Sequence, residues 1–484
     1  MNTESHTTDS NMPLPLALLP IVLLVALLGA NVYFFEDNSS YGSNQIALLI
    51  AALFAGGIGM FRGVKWSNIK DAISSNISQA TEAIIILLLI GSLAGTWLLA
   101  GIIPAFIHYG LQILEPSIFL FAACVVCAVL SLATGSSWGT VGTVGVALIG
   151  IGTAMGISEG WIAGAIISGA YFGDKLSPLS DTTNLAPAVA GTDLITHIKY
   201  MTITTVPSIL IALAVFLVVG FTGDPSAETA AFAEGFGEAV NSKFNIHLGL
   251  FIAPVAVLVM IARKIPAAAS LFIGVLLGAL SAIVFQPEAI KEIAGEEMSF
   301  VQASYYSTMS SMSVETQFET GNALADKLLK AKGMEGMMNT IWLIICAMVF
   351  GAVLQATGVL KSITDNLIKG VNSVLGIIGS TVGTCLAFNV LASDQYIAIV
   401  VPGKMFADSY EEQNLAPENL SRTLEDAGTV TSVLIPWNTC GVAQSGILGV
   451  ATLAYAPYCI FNWISPVMSL FVAGLGYKLK RLND

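Results

Sequence analysis

Charged residues are scarce in this sequence, and the motifs of two enzyme classes are missing from it. Asp, Glu, Lys and Arg make up 11% of the 484 residues, whereas soluble globular proteins carry about 25%. No GxxxxGK[ST] run offers a phosphate-binding loop, which argues against ATP hydrolysis, and no HExxH run offers a zinc peptidase site. We therefore do not expect this chain to be an enzyme.

Cysteine and basic residues give no sign of a cofactor or of a nucleic-acid partner. The six cysteines are scattered through apolar segments. Cys124 and Cys127 have CxxC spacing, but no second pair accompanies them, so we expect packing residues rather than a zinc or redox site. The 19 Lys and Arg residues form no basic patch, which argues against nucleic-acid binding.

Long apolar runs are what the sequence has instead. Hydrophobic residues make up 55% of the chain, and a helix that spans a membrane needs about 20 of them in succession. We predict an all-α integral membrane protein that crosses the lipid bilayer about 10–12 times. Uninterrupted spans are predicted near 14–35, 45–61, 82–101, 200–221, 247–262, 266–285, 337–357 and 455–475, and interrupted spans within 117–156, 158–190 and 374–452.

The distribution of Lys and Arg predicts how the chain is oriented in the membrane. Because basic loops tend to stay in the cytoplasm, the basic residues at 62–70, 263–264 and 478–481 place both termini there. The chain then divides into a polar N-terminal tail (1–13), a first transmembrane repeat (14–221), an acidic external loop (222–246), a second transmembrane repeat (247–475) with an external insertion (286–336), and a basic cytoplasmic tail (476–484).

An internal repeat relates the two apolar halves. The stretch 86–143 resembles 343–400 at one constant offset, and the matching polar breaks are Ser136-Ser137 and Ser393-Asp394. On the predicted topology the two copies enter the membrane from opposite sides. We therefore predict two inverted-topology repeats with re-entrant hairpins and discontinuous helices, a build typical of secondary transporters, in which the binding site lies near the midplane.

Four polar runs interrupt the apolar segments and predict the site. An ionisable residue at membrane depth costs roughly 2.5–3.5 kcal/mol on insertion scales, so its presence usually marks function. Broken backbone cannot face lipid and must line an enclosed cavity. Oxygen-bearing side chains and the carbonyl ends of half-helices suit a small cation such as Na⁺. The candidate ion-binding and proton-exchanging residues are Asp181, Asp394, Asp174, Ser136, Ser137, Ser177, Thr182, Thr183, Asn184, Asn389, Ser393, Asn438 and Thr439.

Asp181 is the leading candidate for the ion site. Residues with hydroxyl or amide oxygens flank it in sequence and predict a ring of ligands around it. Loss of water favours the protonated form of a carboxyl, so a carboxyl in a partly dry cavity can exchange a proton for a metal cation near neutral pH. The alternative is a structural Asp that caps a half-helix.

Other acidic residues near the breaks are weighed in the same way. Asp394 stands at the equivalent place in the second half, and we expect a second Na⁺ ligand or a proton carrier there. Asp174 either takes part in the ion site or forms an internal ion pair with Lys175. Glu425 and Asp426 precede an apolar stretch, so a position at the cytoplasmic mouth and a role in the site are both open.

The longest polar run also carries a family resemblance. The run GAYFGDKLSPLSDTTNLAP, from Gly169 to Pro187, closely resembles the signature of NhaC-type sodium/proton antiporters, a family within a broader group of ion transporters. The segments 133–140 and 436–441 are similar to that family too. The resemblance extends over about 14–475 and is least evident around 222–246 and 286–336.

The resemblance implies a bacterial inner-membrane exchanger that expels Na⁺ in exchange for protons by alternating access, without a cofactor. The same family contains exchangers similar to a malate/lactate antiporter, in which Na⁺ and H⁺ move with carboxylates, and the motifs do not separate the two cases. No arginine lies in the four polar runs, and since Arg is the natural clamp for a carboxylate, this favours pure cation exchange. A homodimer is a candidate assembly, because transporters of this architecture often pair through one half.

Overall fold

The computed structural model describes residues 12–35, 42–222, 227–295, 297–368 and 373–482. The N-terminal tail up to residue 11 and the acids Glu36, Asp37 and Asp224 of the predicted external loops lie outside these ranges. The described chain is almost entirely helical, and a two-residue antiparallel strand pair, β1 (Thr316–Gln317) with β2 (Lys330–Ala331), lies within the predicted insertion 286–336.

The first half of the chain contains eleven described helices. Two of them, α7 and α8, are joined by a π-helical turn, Val141–Gly145, into one continuous rod. The helices are α1 (Leu14–Phe35), α2 (Ser43–Phe61), α3 (Trp66–Gln79), α4 (Thr81–Leu99), α5 (Ile102–Ile113), α6 (Pro116–Thr134), α7 (Ser137–Thr140), α8 (Val146–Ala154), α9 (Glu159–Leu176), α10 (Asp181–Ala190) and α11 (Leu194–Thr222).

The second half is built in a similar way and carries the insertion. A second π-helical turn, Glu425–Thr429, follows α22 directly. The helices are α12 (Ala227–Lys243), α13 (Ile252–Ala262), α14 (Ala267–Phe285), α15 (Pro287–Ala294), α16 (Phe300–Ser313), α17 (Ala323–Leu328), α18 (Met338–Ala356), α19 (Val359–Ile368), α20 (Val374–Leu391), α21 (Gln395–Glu412), α22 (Pro417–Leu424), α23 (Thr439–Leu448), α24 (Thr452–Tyr455) and α25 (Ile460–Gly474), with 3₁₀ turns at Leu248–Phe251, Glu335–Met337, Ser432–Leu434 and Ala456–Tyr458.

Nine helices in the described ranges are long and apolar enough to cross a membrane, or eleven if two bent pairs each count as one span. This overlaps the predicted 10–12 spans and confirms an all-α, multi-span membrane protein with broken helices. Two details differ. The acidic segment predicted as a loop contains α12, which joins the next helix at an 82° bend. The span predicted at 455–475 begins only at Ile460, since a 3₁₀ turn containing Pro457 precedes it.

The internal repeat appears in the structure as repeated helix boundaries. Ser137–Ala154, taken as one rod, recurs as Gln395–Glu412, and Asp181–Ala190 recurs as Thr439–Leu448, all at one constant offset. Each of the two shorter helices ends at a left-handed glycine, Gly191 in one half and Gly449 in the other. The two halves therefore share one folding plan, although their side chains differ.

The two halves exchange their short helices. Helix α10 belongs to the first half and packs against α21 of the second half. Helix α23 belongs to the second half and packs against α8 and the π-helical turn Val141–Gly145 of the first half. Each half-helix therefore covers the hairpin of the opposite repeat. This crossing brings the polar breaks of both halves to the same place.

Close contact between α6 and α9 fixes the first half around the site. A Cβ atom added at Gly169 would lie 2.1 Å from the carbonyl oxygen of Cys124, and one added at Gly173 would lie 2.2 Å from that of Ala128. Small residues four positions apart allow two membrane helices to approach this closely. The glycines of the family-like run therefore also serve helix packing.

We expect Gly169→Ala to lower the free energy of unfolding by about 1–3 kcal/mol, because the added methyl group must push two helix backbones apart. Thermal unfolding in detergent measures the change. Gly383→Ala in α20 is the matched control, since a Cβ atom there meets nothing within 4 Å. Equal losses in both variants would contradict the packing argument.

Candidate functional site

The tips of the two hairpins share one backbone design. After α6, Gly135 adopts a left-handed φ of 69°, and Ser136 then caps the next helix by accepting a hydrogen bond of 3.0 Å from the N–H of Gly139. After α20, Ser393 adopts a φ of 60°, and Asp394 caps α21 by accepting a 3.0 Å bond from the N–H of Ile397. A non-glycine residue in this conformation is strained, and such strain is concentrated at functional sites.

The pairing of the two tips differs by one residue from the sequence prediction. The predicted match placed Ser137 opposite Asp394, whereas the caps place Ser136 opposite Asp394. The reason is one additional residue before α20, since α4 and α18 keep the original offset and the hairpin helices do not.

The two exchanged half-helices also begin at this level. Ser180 caps α10 with a 3.5 Å bond from the N–H of Thr183, and Asn438 caps α23 with a 3.0 Å bond from the N–H of Cys440. Four helix N-termini therefore meet at the tips. From the sequence we expected the carbonyl ends of half-helices to be available to a cation. At the end of α9 the carbonyls of Asp174 and Lys175 are instead already bonded, because the hydroxyl of Thr183 donates to both (3.2 Å and 3.1 Å).

One cavity of about 490 Å³ joins the two hairpin tips and the two half-helices. It holds three acidic residues predicted for the site, and its outer part reaches Glu82 and Lys264, which are exposed. Of the predicted residues, those that line it are Ser136, Ser137, Asp174, Asp181, Thr182, Asp394 and Thr439.

Asp174 is the carboxylate held most firmly in the cavity. Only 8% of the residue is exposed. Its Oδ2 accepts two bonds from Ser137 at the hairpin tip, from the hydroxyl (2.7 Å) and from the N–H (3.2 Å). Its Oδ1 accepts no hydrogen bond from the described residues. One oxygen is therefore anchored, and the other is buried without such a bond.

The two carboxylate oxygens of Asp394 also have different surroundings. Oδ1 caps α21, and Oδ2 lies 3.5 Å from the hydroxyl of Thr439 on α23. The structural alternative considered for Asp181, a cap on a half-helix, is thus the geometry found for Asp394. A carboxylate can cap a helix and still present its second oxygen to the cavity.

Asp181 lines the cavity from its exposed side. It is the first residue of α10, where the helix dipole favours a negative charge, and the cap itself is Ser180. Of the ring of ligands predicted around Asp181, Ser180 and Thr182 line the cavity with it, whereas the other three members bind nearby backbone. Ser177 accepts from the N–H of Leu179, and Asn184 donates to carbonyls of the preceding turn, as Thr183 does to those of α9.

Three predicted residues lie behind the cavity and hold its wall. The amide of Asn438 donates to the backbone oxygen of Asn389 (3.0 Å), and the N–H of Thr439 donates to the backbone oxygen of Ser393 (2.9 Å). These bonds fasten the start of α23 to the second hairpin tip. Asn389, Ser393 and Asn438 are therefore placed to position the site rather than to line it.

The buried charges next to the site are arranged differently from the prediction. Lys175 does not pair with Asp174 but with Asp426 of the second half, and both side chains are fully buried. Glu425 is fully buried as well, so of the two alternatives left open for Glu425 and Asp426 the structure does not support the exposed one at the cytoplasmic mouth. The sequence signal was a charged pair directly before the Gly428 segment, but only the fold shows which lysine it faces.

Taken together, these features define a class of protein. Two helical repeats bring broken helices, exposed helix ends and carboxylates to one internal cavity, which is the construction of a secondary transporter.

Comparison with known proteins identifies the family. A family model described as the Na⁺/H⁺ antiporter family matches residues 169–477. The chain is also 36% identical over 431 residues to the Na⁺/H⁺ antiporter NhaC of Alkalihalophilus pseudofirmus, covering 89% of each protein. The chain therefore belongs to the Na⁺/H⁺ antiporter family, as the resemblance of the polar run indicated.

Two other relatives are named for different substrates. A malate-2H⁺/Na⁺-lactate antiporter of Bacillus subtilis is 37% identical over 436 residues, which is 90% of this chain and 89% of the relative. An arginine/ornithine antiporter, ArcD, of Halobacterium salinarum is 36% identical over 471 residues, which is 96% of this chain and 92% of the relative. All three relatives are antiporters.

We expect Asp394→Ala to lower the free energy of unfolding by about 1 kcal/mol, because α21 loses its cap, whereas Asp394→Asn keeps it, since Asn caps helices as well as Asp does. Thermal unfolding in detergent compares the two variants. Ser136→Ala, which removes the equivalent cap, serves as a control and should resemble Asp394→Ala. A loss as large in Asp394→Asn would show that the charge, and not the cap, stabilises the tip.

Proposed function

We propose that this chain exchanges Na⁺ for protons across the membrane and that the carboxylates of the cavity carry both ions in turn. The observation that carries the proposal is the meeting of Asp174, Asp181 and Asp394 in one cavity between the two repeats. The chain is a member of the Na⁺/H⁺ antiporter family, and the roles of these residues are the part proposed here.

The charges in the cavity favour a cation. Three carboxylates, from α9, α10 and the second hairpin tip, line it, with Glu82 near its outer part, against a single lysine, Lys264, among the described residues of the lining. A proton or a Na⁺ ion relieves the repulsion between carboxylates that share a partly dry site. The two ions therefore compete for the same oxygens, and this competition couples their movements in opposite directions.

Each of the three carboxylates has a distinct role in the proposed exchange. Asp174 and Asp394 both line the cavity, and each has one carboxylate oxygen anchored, by Ser137 and by the N–H of Ile397 respectively. Asp181, which is exposed, meets incoming ions first. The hydroxyls of Ser136, Ser137, Thr182 and Thr439 supply further oxygen atoms at the cavity wall.

The shape of the cavity supports an alternating-access cycle. The exposed residues at its outer part, Glu82 and Lys264, belong to the side that the distribution of basic residues assigns to the cytoplasm. The structure then represents a state open to the cytoplasm of a bacterial inner-membrane protein with both termini inside. In the opposite state, rearrangement of the two repeats around the hairpin tips would open the carboxylates to the outside.

Proteoliposomes with an acid interior test the exchange. We expect external Na⁺ to collapse the pH gradient, because Na⁺ entry releases internal protons, and we expect Asp181→Asn and Asp174→Asn each to abolish this response. A pH-sensitive dye inside the vesicles follows the gradient. Asp193→Asn is the control, since Asp193 is exposed and bonds the start of its own helix at Thr196.

The outcomes separate the function from the site. A wild-type protein that leaves the gradient intact in the presence of Na⁺ would contradict cation exchange. Normal exchange by Asp181→Asn and Asp174→Asn would contradict the roles of those residues while leaving the function standing.

Exchange of a carboxylate together with Na⁺ and H⁺ is the second candidate function. Four helix N-termini and Lys264 border the cavity, and such groups attract anions. A relative of similar identity is named as a malate/lactate antiporter. The cavity therefore offers contacts for both an organic acid and a cation.

The same vesicles distinguish this alternative. We expect Na⁺ alone to be sufficient to collapse the gradient, since no Arg clamp is found among the described residues that line the cavity. A response to Na⁺ that appears only when malate and lactate are supplied on opposite sides would favour the carboxylate exchanger. Lys264→Gln would then weaken the dependence on the carboxylate.

A further inference from the structure

A second group of buried ionisable residues lies beside the cavity without lining it. Lys175 follows Asp174 on α9, and Glu425 and Asp426 begin the π-helical turn of the second half. Lys175, Glu425 and Asp426 have no exposed surface. A π-helical turn widens a helix by one residue and often marks a functional site. The proposed ion-binding residues do not include any of these three.

Lys175 and Asp426 form an ion pair in which each charge compensates the other. Their ion pair is completed by two hydroxyls of α25: Ser465 donates to Oδ1 of Asp426 at 3.0 Å, and Ser469 donates to Oδ2 at 2.6 Å. A buried pair with these additional bonds is neutral as a unit and has little reason to change its protonation. The positive charge of Lys175 is therefore already compensated.

Glu425 stands in contrast to this pair. Neither of its carboxyl oxygens accepts a hydrogen bond from the described residues, although the side chain is fully buried. An ionised carboxylate that is neither solvated nor bonded is costly, so the neutral acid is the stable form in this place. Unlike Asp426, it has no anchoring partner that would make it a fixed structural charge.

The groups around Glu425 connect it to the cavity. Asp174 precedes Lys175 on α9, Lys175 is paired with Asp426, and Asp426 follows Glu425 in the π-helical turn. Of these residues, Asp174 alone lines the cavity. A cation on Asp174 therefore changes the charge beside the ion pair that borders Glu425.

Two further basic side chains lie on the elements around Glu425. Arg422, one turn earlier, places its guanidinium over the ring of Tyr200 at 4.7 Å. His197 of α11 makes a hydrogen bond of 2.8 Å to the hydroxyl of Ser421 through Nδ1. Neither Arg422 nor His197 lines the cavity.

We propose that Glu425 is a proton-carrying residue of the exchange, holding a proton while the cavity is empty and releasing it when a cation binds at Asp174. This rests on the proposed Na⁺/H⁺ exchange. A cation on Asp174 cancels the negative charge that opposes ionisation of Glu425. The O–H bond of Glu425 then breaks, its electron pair stays on the carboxylate, and the proton leaves to water in addition to the protons displaced from the carboxylates of the cavity.

Proton release by the purified protein tests this inference. The full chain in detergent and weak buffer receives NaCl or, as an ionic-strength control, choline chloride, while an indicator dye reports released protons. Wild type should release protons with NaCl beyond the choline chloride level. Glu425→Gln, a close isostere of the neutral acid, should release fewer while still binding Na⁺, followed by the fluorescence of Trp138 in the cavity wall.

Two further variants serve as controls for the proton-release experiment. Glu425→Asp keeps an acid at this position and should restore the release. Glu418→Gln should behave as wild type, because Glu418 is also a buried carboxyl of the same helical segment but is bonded to Lys480 at 2.6 Å. Equal proton release by wild type and Glu425→Gln would overturn the proposal. No release and no exchange in the wild type would overturn the proposed function itself.

Infrared difference spectra provide a measurement that does not depend on Glu425→Gln being folded. Addition of Na⁺ to the wild type should remove a carbonyl band of a protonated carboxyl, and the position of that band should shift in Glu425→Asp. A band that is unshifted in Glu425→Asp, or the absence of any such band in an active wild type, would assign the proton to a different residue.

Discussion

The structure depends on the burial of carboxylates where the helices are broken. A charge inside a membrane protein is costly unless bonds, partners or a bound ion compensate it. Here Ser137 anchors Asp174, a helix start anchors Asp394, and Lys175 anchors Asp426. The compensation is incomplete at Asp174, one oxygen of which accepts no hydrogen bond from the described residues, and the ion binding that we propose depends on this incompleteness.

The two repeats supply one scaffold and two different sets of side chains. The equivalent caps of the hairpin helices are Ser136 and Asp394, and the equivalent first residues of the half-helices are Asp181 and Thr439. Each half therefore contributes a carboxylate where the other contributes a hydroxyl. The asymmetry of the side chains keeps the number of buried charges low.

Prediction from the sequence succeeded where a feature is local. Apolar runs indicated the multi-span fold, the repeat indicated the matching breaks, and seven of the predicted residues line the cavity. It failed where a long-range contact decides: Lys175 lies beside Asp174 in sequence but bonds Asp426, 251 residues away. Ser177 and Thr183, which were expected as ligands beside Asp181, instead bond the backbone that the helix break leaves open.

The sequence by itself determined that the chain is a membrane protein with two related halves and polar breaks, because hydrophobic runs and polar interruptions need no knowledge of contacts. Only the tertiary structure decided which breaks meet, which oxygens stay free and which acid remains without a partner. The meeting of the breaks arises from the exchange of α10 and α23 between the halves. Distances between residues hundreds of positions apart are set by that packing and leave no trace in local sequence.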